Sequence, residues 1–325
     1  MNSDIITPEK RNPALYHYEA PKRPVIRRLG TIACDMVETT PIVFHDRLYR
    51  FEYFRRCEQN EKNPTAETHF RFIDVRTNRE TPHFAKNHHF GAAFADGDWM
   101  YVTGIEECET GDEAWGGFTV KIFRSADLET WEEYGSLALP DGMGGYNTGV
   151  CKKDGVYTML IEVNKPLNFR FRFAVSRDMK HWELLPEEYR FHEEPRYAGG
   201  PALYTLPDDP HYYVCYLEGY PGPCYANCIA RSLDLRHWEY SPINPVLMFN
   251  EEEDKKIGSP FLTVHEQERI ARALDINNSD MELCEFNGRT IIYYSWGCQR
   301  GIEFLAEAAY DGSMKDFLQG FFDKV

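Results

Sequence analysis

SADLETW at positions 125–131 returns as SRDMKHW at 176–182 and as SLDLRHW at 232–238. The shared pattern is Ser-x-Asp-Φ-x-x-Trp, with Φ Leu or Met, and its spacing of about fifty residues marks a repeated structural unit. Upstream of each copy lies a pair of apolar runs joined by a polar turn: FGAAFADGDWMYVTG (90–104), NTGVCKKDGVYTMLIEV (147–163) and GGPALYTLPDDPHYYVCYLEG (199–219). TPIVFHDRLYRFEYF (40–54) and SDMELCEFNGRTIIYYSWG (279–297) follow the same plan and bring the units to five. The turns ADGD, KKDG and EFNG carry Asp-Gly and Asn-Gly, residues that tolerate the positive φ of tight hairpins. A third strand, as in FTVKIFRSADLETW, FRFRFAVSRDMKHW and ANCIARSLDLRHW, then runs into the motif. Its Ser and Asp suit a turn held by side-chain bonds to backbone N–H groups, and its Trp suits a plug between neighbouring units. The first and last units keep only degraded tails, FRFIDVRTNRETPHF and FLAEAAYDGSMKDFLQ, as terminal repeats often do.

A small antiparallel sheet cannot bury both faces alone, so five such units are expected to pack radially. The expected fold is all-β: a five-bladed β-propeller of four-stranded antiparallel blades. It spans 33–325 as one domain, preceded by an N-terminal arm over 1–32 that is rich in Pro and charge and could wrap its own last blade or a neighbouring subunit, making a homo-oligomer. TVHEQERIARALD (263–275) opens on a capping Thr with Ile270, Ala271 and Leu274 on one side, and is expected as a helix on the rim between blades four and five. EEEDKK (251–256) reads as a solvated loop.

Composition narrows the function. With 36 basic against 52 acidic residues, the net charge of −16 repels phosphate backbones and anionic membranes, so neither nucleic acid nor membrane is an expected partner. Aromatic residues make up 14% of the chain, which suits strands and ring-stacking surfaces. The first thirty residues hold no apolar signal core and no later run is long and apolar enough to span a bilayer, so a soluble, cytoplasmic protein is expected. Nine cysteines without CxxC pairs suggest neither a disulfide framework nor a zinc knuckle, and fit a reducing compartment.

The five hairpins closed by Ser-x-Asp-Φ-x-x-Trp resemble the furanosidase-type five-bladed propeller glycosidases, glycoside hydrolase family 43 and relatives such as family 117. The resemblance covers residues 33 to 325 and implies a glycoside hydrolase that uses carboxylates as general acid and base. It places an Asp-Pro base on blade one, a second Asp on blade three and a Glu-Gly-Pro acid on blade four. The matching positions hold Thr40-Pro41, Asn147-Thr148 and Gly199-Gly200-Pro201. The acids must therefore come from elsewhere in the funnel, which the starts of the innermost strands and the ends of the second strands line together.

Those positions supply the candidates. Asp35 and Glu38, in IACDMVETTP, are the expected base region. Glu218 in CYLEGYPG is the expected acid, because Tyr216, Leu217 and Tyr220 would give the apolar surroundings that raise a carboxyl pKa, with Glu162 in MLIEVN as its rival. Expected substrate contacts are His88, Asn147, Asn278, Asp280, Trp296, Arg300 and Glu303, with His89, Tyr146, Arg196 and Tyr197 also at strand starts. No His-x-x-x-His or EF-hand spacing is present, so no metal ligands are assigned, although the resemblance allows a calcium ion on the axis. The leading expectation is hydrolysis of small plant or algal oligosaccharides. A phosphorylase using Arg196 and Arg300, and a propeller that binds carbohydrate without catalysis, are the alternatives.

Overall fold

The computed structural model describes residues 23–55, 67–107, 116–165, 169–192, 196–222, 224–298 and 302–322. Its strands form five antiparallel sheets arranged as a five-bladed β-propeller. From the innermost strand outward, blade one is Pro41–Phe44, Arg47–Phe54, His69–Asp74 and Arg79–Glu80, and blade two is His88–Asp96, Trp99–Glu106, Thr119–Ser125 and Glu132–Ala138. Blade three is Gly145–Lys153, Val156–Val163, Arg170–Ser176 and Trp182–Leu184, with Arg190–Phe191 also paired to its third strand. Blade four is Ala198–Thr205, Tyr212–Tyr220, Cys224–Ser232 and Trp238–Tyr240. Blade five takes Asn277–Phe286, Arg289–Gly297 and Glu303–Tyr310 from the end of the chain, and its outermost strand, Arg27–Cys34, from the beginning.

That last pairing, from Arg27 opposite Ala309 to Cys34 opposite Phe304, closes the ring. The closing strand begins inside the segment assigned to the arm, so residues from Arg27 onward belong to blade five, while 1–22 lie outside the described residues.

The repeated motif has one geometry in its three copies. Ser125 Oγ accepts from the N–H groups of Asp127 and Leu128, and Asp127 Oδ1 accepts from those of Glu129 and Thr130. The same fold-back is built by Ser232 with Asp234, and Asp178 holds the N–H groups of Lys180 and His181. The Φ residues Leu128, Met179 and Leu235 are buried with φ of 62°, 62° and 61°, a left-handed step that the side-chain bonds hold in place. Two of the three Trp rings then stack across a blade boundary. Trp131 of blade two stacks on Phe84 at 3.8 Å, beside blade one, and Trp238 of blade four lies 5.8 Å from Phe173 of blade three.

Two expectations outside the blades change. The helix runs Val264–Arg272, shorter than 263–275, with Thr263 and Glu266 in a reciprocal capping box. The acidic run is not a solvated loop: Glu251–Asp254 is a helical turn, and Asp254 is fully buried. Its Oδ1 accepts from Arg28 Nη1 at 2.5 Å and Tyr294 Oη at 2.6 Å, and its Oδ2 from Asn278 Nδ2 at 3.1 Å, so the charge lost to water is replaced by fixed donors.

Inner strands from all five blades surround an axial cavity of about 360 Å³, with Thr40, Ala92, Gly149, Ala202 and Glu282 on its wall. Just N-terminal to these residues the strands reach the end of the barrel, and there the chain departs from regular pairing. Register shifts fall between His89 and Ala92, Gly145 and Thr148, Gly199 and Ala202, and Ser279 and Glu282. A bulge re-aims side chains at a strand end, so this repeated irregularity turns residues toward the axis.

Candidate active site

Within the bulges, Phe90, Gly200 and Asp280 all have φ of 53°, and Glu38, just ahead of blade one, has φ of 52°. Left-handed backbone at a non-glycine residue costs on the order of 1 kcal/mol and persists where the surroundings impose it. Two of the strained residues are carboxylic acids at one end of the inner strands.

Glu162, at the end of the second strand of blade three, is 1% exposed. Its Oε2 accepts from Asn147 Nδ2 at 3.0 Å and from the Gly200 N–H of blade four at 3.0 Å. Burial pushes its pKa up to about 7 against the pull of those two bonds, and the charge of Asp280 adds to the rise. Asp280 is 7% exposed and accepts a 2.6 Å bond from Ser279 Oγ. Burial and the charge of Glu303 raise it to about 6, opposed by the Ser279 bond and Arg55. Glu38 is raised well above the ordinary carboxyl range by burial, then by Asp280 and Glu162, with Arg55 and Asn147 acting the other way. Glu303 is buried and ion-paired with Arg55. Among the described residues, four acids thus share one end of the barrel with Arg55, and the raised pKa values of Glu38, Glu162 and Asp280 are what proton-transfer chemistry requires.

The glycines of blade four make the cluster possible. A Cβ on Gly200 would fall 2.1 Å from Asp280 Oδ1, and one on Gly199 would fall 3.0 Å from Glu162 Oε1 and 2.6 Å from the Tyr197 hydroxyl. Gly199-Gly200 is therefore the space into which acids from blades three and five reach. Aromatic rings continue the wall: Phe90 lies 5.6 Å from Tyr146, Tyr146 5.2 Å from Phe169, Phe169 5.1 Å from Tyr197 and Tyr197 5.3 Å from Tyr225. All five are partly exposed, as rings that stack on a sugar must be.

Of the sequence candidates, Glu38, Glu162, Asn147, Asp280 and Glu303 come together in this cluster. Asp35 does not; it is 3% exposed and holds a two-pronged ion pair with Arg269 at 2.8 and 2.7 Å, fastening the helix Val264–Arg272 to the blade-five edge. Glu218 lies in a different setting from the apolar one expected. Burial alone would raise its pKa, but hydrogen bonds from His192 at 3.3 Å and Tyr220 at 3.1 Å, with Arg196 at 3.5 Å, outweigh it and hold the carboxyl below its ordinary value. That is the state of a fixed carboxylate, not of an acid awaiting a leaving group.

Trp296 is fully buried, stacked on Phe304 at 4.5 Å and bonded to Thr31 Oγ1 at 2.8 Å, so it offers no face to a ligand. Asn278 is fully buried in the Asp254 network. His88 bonds the Lys86 carbonyl at 2.8 Å and meets the edge of Phe123, while His89 meets the Tyr53 hydroxyl at 2.7 Å beside the aromatic wall. Arg300 lies outside the described residues. Arg55, Phe90, Phe169 and Tyr225 were not singled out from sequence; Arg55 directly follows the second strand of blade one, as Glu162 stands near the end of that of blade three, which was the available signal. Among the described residues, no group of three or more His, Cys, Asp or Glu side chains is arranged to hold a metal ion. Among the described residues, no helix is long and apolar enough to cross a membrane.

Fold and cluster together define a five-bladed propeller with a cluster of buried acids at one end of its inner strands. No protein-family model matches the chain, and no curated protein matches it by sequence. Solved structures do match in fold. A GH32 β-fructofuranosidase of Bombyx mori is 12% identical with a TM-score of 0.57, over 87% of this chain and 61% of that one. The catalytic domain of a GH62 α-L-arabinofuranosidase of Coprinopsis cinerea is 6% identical with a TM-score of 0.60, over 89% of this chain and 98% of that one. A Bacteroides ovatus GH43B protein of a xyloglucan utilisation locus is 14% identical with a TM-score of 0.53, over 87% and 54%. The chain spans about three-fifths or less of the first and third of these, and at such identities the likeness is one of fold. The expected likeness to furanosidase-type propellers is found at that level.

Proposed function

We propose that the protein is a glycoside hydrolase acting on short plant or algal oligosaccharides, with Glu162 as general acid and Asp280 as general base. Hydrolysis with inversion needs one protonated carboxyl to protonate the leaving oxygen and one ionised carboxylate to activate water. Between pH 6 and 7 Asp280 is mostly ionised while Glu162 mostly keeps its proton, so the two hold opposite states together. The observation that carries the assignment is the place of Glu162. Its Oε1 stands 3.0 Å from where a side chain on Gly199 would begin, and Gly199 is where the resemblance puts the acid. A carboxyl from blade three thus fills the position that blade four leaves empty.

The aromatic wall supports a sugar substrate through its ring faces, and the repeated acids support transfer to water. A phosphorylase needs a cationic phosphate pocket. Among the described residues, Arg55, which acts on Glu38 and Asp280, and Arg196, which acts on Glu218, are already paired with Glu303 and Glu218. The test is turnover of nitrophenyl furanosides and pyranosides and of natural oligosaccharides, with and without phosphate. Phosphate-independent hydrolysis abolished in Glu162→Gln and Asp280→Asn is the expected result. Hydrolysis that survives both substitutions overturns the assignment, and saturable sugar binding without any turnover would make the protein a lectin-like propeller instead.

A further inference from the structure

One polar atom of the acid cluster has no hydrogen-bond partner among the described residues. That atom is Glu38 Oε2, which is buried, and a buried polar atom left unmatched destabilises the fold unless something arrives to meet it. The backbone at Glu38, with φ of 52°, is held in a strained conformation, so the orphan is imposed by the fold rather than relaxed away. Close by, the Tyr197 hydroxyl lies over the bare Cα of Gly199, in the field of Glu162, Asp280 and Glu38, with its ring between those of Phe169 and Tyr225.

We infer that Glu38 and Tyr197 form a clamp that grips adjacent hydroxyls of the sugar ring bound in the funnel, and that neither transfers a proton in the reaction. This rests on the glycosidase reading above and adds to it the chemistry of recognition. Burial and the neighbouring Asp280 keep a proton on Glu38, which therefore offers one O–H donor and one acceptor, the complement of a sugar hydroxyl. Tyr197 is likewise kept un-ionised by burial and by the charges of Glu162 and Asp280, so its hydroxyl remains a donor. Asn147 binds Glu162 and also acts on Glu38, which couples the clamp to the acid by one side chain. The substrate class follows: a terminal ring whose neighbouring hydroxyls are free, with rings methylated or esterified at those positions rejected, because a protected oxygen leaves the buried donors unmatched.

The experiment is calorimetric or ligand-observed NMR titration of L-arabinose, D-xylose, D-fructose and D-galactose, with their monodeoxy and O-methyl derivatives. The titrations use the wild type, Glu38→Gln, Glu38→Ala and Tyr197→Phe, each checked for folding by its melting curve. Loss of one matched hydrogen bond at a buried site predicts a fall in affinity of about tenfold for the discriminating deoxy sugar, for Glu38→Ala and for Tyr197→Phe. Glu38→Gln should stay within about threefold of wild type, because the amide keeps one acceptor and a donor on the same frame. Equal affinity for parent and deoxy sugars, equal damage from the Gln and Ala variants, or no effect of Tyr197→Phe would each overturn the clamp and leave the glycosidase reading standing. Failure of every sugar to bind the wild type would overturn both.

Discussion

The carboxylate of Asp280 and the α-carbon of Gly200 stand so close that a methyl group on Gly200 would lie 2.1 Å from Asp280 Oδ1. Blade four gives up a side chain so that blade five can put an acid on the axis, and Gly200 also donates its N–H to Glu162. Gly200→Ala should therefore displace Asp280 and remove most of the activity. Gly155→Ala is the control: it too has positive φ, of 75°, but nothing lies within 4 Å of the new methyl, so it should cost only about 1 kcal/mol in stability and leave kcat unchanged. Denaturant unfolding and kcat of the two variants separate the strain from the collision. Equal effects on kcat would mean that Asp280 has no fixed place in the reaction.

The pH dependence of hydrolysis should be a narrow bell. Activity rises as Asp280 loses its proton near 6 and falls as Glu162 loses its proton near 7, so kcat/KM peaks between the two apparent values, which belong to the coupled cluster. Asp280→Asn should abolish the acid limb together with the rate. A plateau extending past pH 8 would exclude Glu162 as the proton donor.

Stability and catalysis oppose each other at Glu162. Its folded pKa of about 7 lies above its ordinary value, so the folded state is favoured at low pH and loses that advantage as pH rises through 7. Replacing it by Gln removes the penalty. Glu162→Gln should be inactive yet more stable than wild type by up to about 3 kcal/mol at pH 8, with the difference vanishing near pH 4. Melting curves at the two pH values measure this, and a variant less stable at pH 8 would show that the bonds to Asn147 and Gly200 need a charged acceptor.

The fold was legible because it is written repeatedly: three copies of one turn, two with a Trp stacked on aromatic rings across a blade boundary, and Asp154-Gly155 and Asn287-Gly288 in the left-handed conformation that their hairpins need. The acids were legible only in part. Asn278 and Asp280 share a parity, which predicts a common face, but the bulge between Ser279 and Glu282 and the left-handed turn at Asp280 separate them, one to the Asp254 network and one to the axis. Glu218 was chosen for apolar neighbours adjacent in sequence, but its burial is outweighed by hydrogen bonds from His192 and from the Tyr220 hydroxyl and by the charge of Arg196, and the fold brings His192 and Arg196 from before the blade's first strand. Gly199-Gly200 reads in sequence as a missing acid; in space it is the opening that lets two others in.

A second buried acid pair sits where the ring closes. Asp275 is 5% exposed, and burial, followed by the charge of Asp254 and a hydrogen bond shared with it, raises its pKa to about 8. Its folded pKa exceeds its ordinary value, so it favours the fold at low pH and penalises it increasingly as pH rises toward 8. Asp275→Asn should stabilise the protein at pH 9 and have little effect at pH 4, leaving kcat unchanged at pH 6.5. Melting temperatures across that range decide it, and a destabilised variant at pH 9 would mean that the ionised Asp275 has found a cation in the folded state.

The repeated Trp can be tested as a plug. Trp131 lies parallel to Phe84 at 3.8 Å and to Phe72 at 5.7 Å, so its ring fills the seam between blades one and two far from the acids. Truncation leaves a cavity that two rigid sheets cannot close, and Trp131→Ala should cost about 3 kcal/mol. Ser125→Ala, which removes the acceptor for the Asp127 and Leu128 N–H groups, should cost about 1 kcal/mol. Both variants should keep the wild-type KM, because neither residue reaches the funnel. A Trp131 variant within 0.5 kcal/mol of wild type, measured by urea unfolding with an accuracy of about that size, would deny the motif its role in joining blades and leave only the turn it forms.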